Sequence, residues 1–218
     1  MIPEIGKRRS GRPFVSHGRQ PRYGTMRLKN LSLAAFLLGG LVIPARSAAV
    51  DLNDAAGRYA ISPSGSSLAF AIASIAGKGI SGRFARYDGA IVLDGGNLAR
   101  SSVRITIVPA SVETGQDRVD TFLKSNAVFD VANEHAISFR SSGIRRTGDR
   151  SATITGMLTA RGHTSPATFE AELEDMGKGW ISFHVTGHVL RSPYGMDVGT
   201  PIYSNVVQFD MKLKARRE

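Results

Sequence analysis

The chain reads as an all-β protein, either an antiparallel sandwich or a closed barrel. Apolar and polar residues alternate with a period of two through segment after segment, and short Gly/Asp clusters punctuate the segments. In "SVRITIV", Val103, Ile105 and Ile107 share one face while Arg104 and Thr106 share the other. "ATFEAELED" opposes Phe169, Ala171 and Leu173 to Thr168, Glu170, Glu172 and Glu174. "WISFHVTGHV" sets Ile181, Phe183, Val185 and Val189 against Ser182, His184, Thr186 and His188. "VVQFDMKLK" sets Val207, Phe209, Met211 and Leu213 against Gln208, Asp210 and Lys212. Each such strand has one buried and one wet face.

Weaker alternation covers "SLAFAIAS", "GRFARYDGAIVLD", "AISFRSSGI" and "ATITGMLTA". Turns are expected at Asp88-Gly89, Asp94-Gly95-Gly96, Gly148-Asp149 and Gly177-Lys178-Gly179. The count comes to about eight to ten strands with short connections. One stretch breaks the pattern. In "TGQDRVDTFLKSNAVFD" Val119, Phe122 and Leu123 recur at helical spacing, which predicts a short helix from Gln116 or Asp117 with those three side chains inward. A helix inserted into a β body commonly covers an open end or an edge.

The formal net charge of +10 suggests a nucleic-acid partner until its placement is examined. Lys7, Arg8, Arg9, Arg12, Arg19, Arg22, Arg27, Lys29 and Arg46 all precede residue 50, opposed only by Glu4. The remainder is nearly balanced, so no nucleic-acid partner is expected. Met26-Arg-Leu-Lys opens a basic n-region, Leu31 to Ile43 is apolar, and Ser47-Ala48-Ala49 offers a cleavage point. The apolar run falls short of the roughly 20 residues a spanning helix needs. Residues 26–49 therefore read as a secretory signal peptide starting at Met26. Residues 1–25 read as a disordered basic leader or a mis-assigned start, and 50–218 as the mature domain. The chain has no cysteine, which excludes disulfides, thiolate metal sites and a cysteine nucleophile.

Catalytic chemistry is thinly supported. Asp117 and Asp120 stand three apart, as a carboxylate pair dividing acid and base roles would. Acids in a helix's first turn equally complement its dipole. His184 and His188 lie roughly 13 Å apart along one strand face, too far to share a metal. No nucleophile elbow, P-loop or dinucleotide fingerprint is present. Large apolar side chains are plentiful: Phe70, Phe84, Phe122, Phe129, Phe139, Phe169, Phe183 and Phe209, with Tyr194 and Met196. Gly82, Gly156, Ala160, Ala171 and Gly187 share their faces. Small inward residues either leave a barrel partly unfilled for a ligand or mark bends in a solid core. Patterning leaves both open.

The order of these features resembles the YceI-like family, a bacterial, usually periplasmic, group of lipocalin-like barrels that bind polyisoprenoid lipids. The resemblance runs from about Gly57 to the C-terminus. It is carried by "RYAISPSGSSLAFAI", "ISGRFARYDGAIVLD", "SVETGQDRVDTFLKSNAVFDVANEHAISFRS", "GMLTARGHTSPATFEAEL" and "VLRSPYGM". The family usually has Arg-Asp followed shortly by His-Leu in its central stretch. Here Val119 stands at the Arg position, Asp120 is kept, and Phe122 stands at the His position. Histidines of the family's first strands are also absent, with Gly65 and Ser74 near the matching positions.

The resemblance implies an antiparallel eight-stranded lipocalin-like barrel with a short helix at about 117–126. It implies a non-enzymatic, periplasmic protein that stores or transports an isoprenoid lipid, of quinone or polyprenyl type, and needs no cofactor. Expected pocket residues are Phe70, Phe84, Phe122, Phe139, Leu158, Phe169, Phe183, Tyr194 and Met196, with Asp120 and Arg191 serving the mouth or its support. Transient membrane contact and a homodimer are compatible with it. Two other readings compete: an enzyme on this fold acting on an amphiphile with Asp120 as base, and a solid-cored stress or interaction module.

Overall fold

Eleven strand segments build the domain, in a computed structural model that describes residues 51–218. They are β1 (Gly57–Ile61), β2 (Ser67–Ser74), β3 (Ile80–Phe84), β4 (Tyr87–Leu93), β5 (Ser102–Ile107), β6 (Val112–Glu113), β7 (Ile137–Arg146), β8 (Ser151–Ala160), β9 (His163–Gly177), β10 (Trp180–Leu190) and β11 (Tyr203–Arg217). One helix, α1 (Asp117–Lys124), lies between β6 and β7. The expected leader and signal peptide lie outside the described residues.

The eleven segments make eight staves, because three staves are bent. β1 runs on into β2, β3 into β4, and β5 into β6. β4 pairs with β1 and with β5, while β3 pairs with β2 and with β6. From β5 the meander continues through β7, β8, β9, β10 and β11, every pairing antiparallel. β11 closes the ring, pairing with β2 through Tyr203–Lys212 and with β1 through Ala215–Arg217. Closure removes exposed edges. The sandwich alternative is thereby excluded.

The three bends lie side by side, and serines repair the backbone there. The Ser111 hydroxyl accepts from Arg86 N at 2.9 Å and donates to Val108 O at 2.7 Å. The Ser66 hydroxyl accepts from Lys214 N at 2.8 Å and donates to Lys214 O at 3.2 Å. Backbone groups that leave the ladder at a crease would otherwise go unpaired. This corrects one sequence expectation. Asp88-Gly89 is no turn; it lies inside β4, and the break falls at Ala85-Arg86. Gly89 is there for close approach, since a Cβ would sit 3.2 Å from both the Ile105 and Ile61 side chains and closer still to the Arg104 carbonyl.

The expected turn at Lys178-Gly179 does join β9 to β10, with Gly179 at φ +82°. Arg161 and Gly162, both left-handed, make a two-residue hairpin between β8 and β9. One end of the barrel is stoppered by residues 51–56, where Leu52 N donates to Asp149 O at 3.0 Å and Arg146 Nη2 to Asn53 Oδ1 at 2.7 Å. Leu52, from the stopper itself, and Leu98 are both buried there. At the opposite end lie α1, the 191–202 loop and the β2–β3 turn.

Candidate functional site

The inward side chains do not fill the barrel. A cavity of about 1500 Å³, its opening included, runs from Leu52, Leu98 and Leu213 at the stoppered end to Leu123, Tyr194 and Met196 at the helix end. Among its lining residues only Arg191 and Tyr194 carry a side-chain polar group.

Glycine placement explains why the bore stays open. Phe169 on β9 is the direct cross-strand partner of Gly187 on β10, and Phe70 on β2 of Gly82 on β3. A Cβ on Gly187 would lie 2.5 Å from Phe169 Cδ1, and one on Gly82 3.0 Å from Phe70 Cζ. Phe139 does the same over Gly156, whose Cβ would lie 2.6 Å from its Cζ. Each ring therefore folds back over a neighbouring glycine instead of reaching the barrel axis. Edge and tilted contacts join them into wall panels, Phe139–Phe169 at 5.2 Å, Phe169–Phe209 at 6.1 Å and Phe70–Phe84 at 5.4 Å between centroids. Gly82 and Gly187 thus border a bore, while Gly156 also faces the bulge at Ser141–Gly143 of β7.

The mouth is at the helix end. Lining residues at the stoppered end, Leu52, Leu93, Leu98, Ile144, Ala152 and Leu213, are buried, with Val103 half-buried against the outer wall. At the helix end Ile72, Phe129, Ile137 and Val207 line the cavity and remain half-buried. α1 presents the Val119–Leu123 row to the barrel, with Leu123 buried and Val119 packed against the core.

Of the nine expected pocket residues, Phe70, Phe84, Phe139, Leu158, Phe169, Phe183, Tyr194 and Met196 line the cavity. Phe122 does not. With the Val119–Leu123 row facing in, Phe122 falls on the flank of α1 and is 44 % exposed. The inward role passes to Leu123, Val128 and Phe129, the last stacking on Phe84 at 5.7 Å. Val128 and Phe129 follow the helix in an irregular segment, where no periodicity marks an inward side. Ile105, Ile107, Val185 and Met211 also line the bore, and their alternation already placed them on buried faces.

The two support residues are structural anchors. Asp120 Oδ1 accepts from Thr114 N at 2.8 Å and Thr114 Oγ1 at 2.6 Å, tying α1 to the end of β6. It does not line the cavity. Arg191 is buried and its five N–H donors are all engaged. They reach Ser204 O, Val198 O, Tyr203 O and Thr200 Oγ1 at 2.9–3.1 Å, and Met196 O. Burial lowers its pKa and the nearby Asp197 partly restores it. The guanidinium thus shapes the 192–203 loop from within. Tyr194 closes the roof beside it. Its hydroxyl is buried without a hydrogen bond of good geometry, although Ser165 lies near, and desolvation raises its pKa.

The described residues form a closed eight-stranded antiparallel barrel around an apolar interior cavity. The YceI-like domain model matches residues 59–216, and the chain belongs to the YceI-like family. A UPF0312 protein of Ectopseudomonas mendocina is 32 % identical over 152 residues, covering 69 % of this chain and 76 % of its own length. One from Pseudomonas aeruginosa is 33 % identical over 148 residues, covering 67 % and 74 %. Among solved structures, Burkholderia cenocepacia BcnA superposes with a TM-score of 0.66 at 21 % identity, over 71 % of this chain and 98 % of its own. A polyisoprenoid binding domain from Saccharophagus degradans gives 0.60 at 15 % identity, over 73 % and 98 %. At these identities the structural likeness is one of fold.

Proposed function

We propose that the protein binds a long-chain isoprenoid amphiphile, of quinone or polyprenyl type, in the bore, without catalysing a reaction on it. The observation that carries this reading is the lining. It is apolar from end to end, and of its two polar side chains Arg191 is already saturated by the loop it organises. Such a surface rewards hydrocarbon. Each buried CH₂ contributes about 0.8 kcal/mol, so roughly ten give about 8 kcal/mol before the cost of ordering the chain. The polyisoprenoid binding domain of Saccharophagus degradans shares the fold and lends its ligand class to the proposal.

The enzyme reading, with Asp120 as base, has less support, because that carboxylate lies outside the bore and is engaged by Thr114. Storage or transport in the periplasm, after export by the signal peptide at Met26, completes the proposal. Exposed apolar side chains gather at the mouth end and suit transient contact with a bilayer. They are Ile75, Phe122, Val198 and Ile202, with Ile75 N donating to Ile202 O at 3.0 Å.

The test is a chain-length series of prenyl alcohols titrated into delipidated protein. Affinity rises with each added prenyl unit and levels off once the bore is full. An affinity indifferent to chain length would contradict a bore-filling ligand.

A further inference from the structure

The outer wall carries a second concavity, which unlike the bore is lined by several charged side chains. Arg104 on β5 and Arg140 on β7 are direct cross-strand partners, both outward and both exposed. Like charges set directly opposite each other destabilise a sheet. Neither makes an ion pair among the described residues. Such a local conflict commonly marks a functional site.

The neighbouring staves supply a floor and a third wall. Arg104 is also opposite Ala90 on β4, and Ala90 is opposite Ala60 on β1. Two methyl groups beside long side chains leave a depression. Arg58, two residues before Ala60 on the same outward face, borders it from β1. The result is a solvent-open groove whose polar lining is Arg58, Ser102, Arg104, Arg140 and Ser141, over an apolar floor that includes Ala90, Val92 and Val103. The Ser141 hydroxyl oxygen accepts from Val103 N at 2.9 Å, which leaves its O–H to donate. Glu218 is the one acidic residue on the lining, and its charge opposes that of an incoming anion.

We propose that this groove is an anion site for a phosphate group, bridged between the Arg104 and Arg140 guanidiniums with Arg58 closing the third side. Forked guanidinium donors match phosphate oxygens bidentately, and a bound anion turns the opposed pair from repulsive to mutually held. The phosphate comes either free or as a lipid headgroup. The arginines of this site are absent from the lining of the bore, although Ile91 and Val103 border both spaces.

The test uses the full chain at low ionic strength with two probes, pyrophosphate and phosphatidylglycerol vesicles, against phosphatidylcholine vesicles as reference. Wild-type protein binds pyrophosphate saturably, with a rise in Tm that tracks ligand concentration. Affinity falls at least about tenfold in the Arg104→Gln/Arg140→Gln double variant and rises in Glu218→Gln. Arg145→Gln, which removes an outward β7 arginine outside the groove, leaves it unchanged. A free-phosphate site shows the loss with pyrophosphate. A headgroup site shows it with phosphatidylglycerol vesicles while pyrophosphate binds weakly.

Without ligand the double variant melts at or above the wild-type temperature, because the like-charge pair is gone. Three results would overturn the assignment. They are no saturable binding of either probe, an equal loss in Arg145→Gln, and a lower unliganded Tm in the double variant, which would give the arginines a purely structural role.

Discussion

Replacing Gly187 with alanine should narrow the bore from within. The new Cβ would lie 2.5 Å from Phe169 Cδ1. Carbon atoms rest at roughly 3.5–4.0 Å, so the ring must retreat by about 1 Å. The Thr168 carbonyl of β9 lies 3.0 Å from the same methyl group, so the new Cβ is crowded by backbone as well as by the ring, and the ring is the part free to turn. The ring therefore swings toward the axis, into space a ligand chain would use. Overpacking of this kind costs about 1–3 kcal/mol, which for a domain of this size lowers Tm by about 3–10 °C. Native mass spectrometry reads the retained ligand and differential scanning calorimetry reads the stability. Both should fall in Gly187→Ala, and both should recover in Gly187→Ala/Phe169→Leu, where the offending ring is gone. An alanine variant that melts and retains ligand like the wild type would show that the glycine does not hold the ring against the wall. Loss of stability that Phe169→Leu fails to rescue would place the strain in the backbone.

The remaining predictions concern the mouth. Arg191→Lys forfeits several of five donor contacts and leaves buried carbonyls unpaired, a loss of about 2–4 kcal/mol. Hydrogen exchange across 192–203 should quicken while β8 and β9 stay protected. Asp120→Asn keeps an acceptor for Thr114, so it should cost at most about 1 kcal/mol and leave ligand retention intact. A loss of function without a loss of stability there would revive the catalytic reading.

Burial raises the pKa of Tyr87 and Tyr194, so the folded state holds both phenolic protons more tightly than the unfolded chain. Their contribution is complete below about pH 10 and is lost as pH rises beyond it. Tyr194→Phe should flatten the alkaline limb of a Tm–pH profile at little cost near neutrality, since the hydroxyl has no good partner. An unchanged alkaline limb would contradict the assignment.

Much of this architecture is legible in the alternation. β5, β8, β9, β10 and β11 fall where period-two patterning places them, and eight of nine expected pocket residues face the bore. The misses have physical causes. Asp-Gly is a strong turn signal, yet Gly89 sits within β4 because its face is too crowded for a side chain, while the true bend at Ala85-Arg86 contains neither Gly nor Pro. It is repaired by Ser111, distant in sequence. Phe122 shows the limit of an eight-residue helix, where three apolar positions can satisfy the spacing and only two can face inward. Whether Gly82, Gly156 and Gly187 mark bends or a cavity depends on which phenylalanine lies across the strand, and register is not written in one strand alone.

The central claim is that the bore holds an apolar chain, and native mass spectrometry of protein purified from its own host under non-denaturing conditions tests it most directly. The expected spectrum shows an adduct that organic extraction removes and identifies as an isoprenoid amphiphile, with occupancy reduced in Gly187→Ala. A wholly ligand-free spectrum from gently purified protein, together with no binding of any prenyl chain by the same sample, would contradict it.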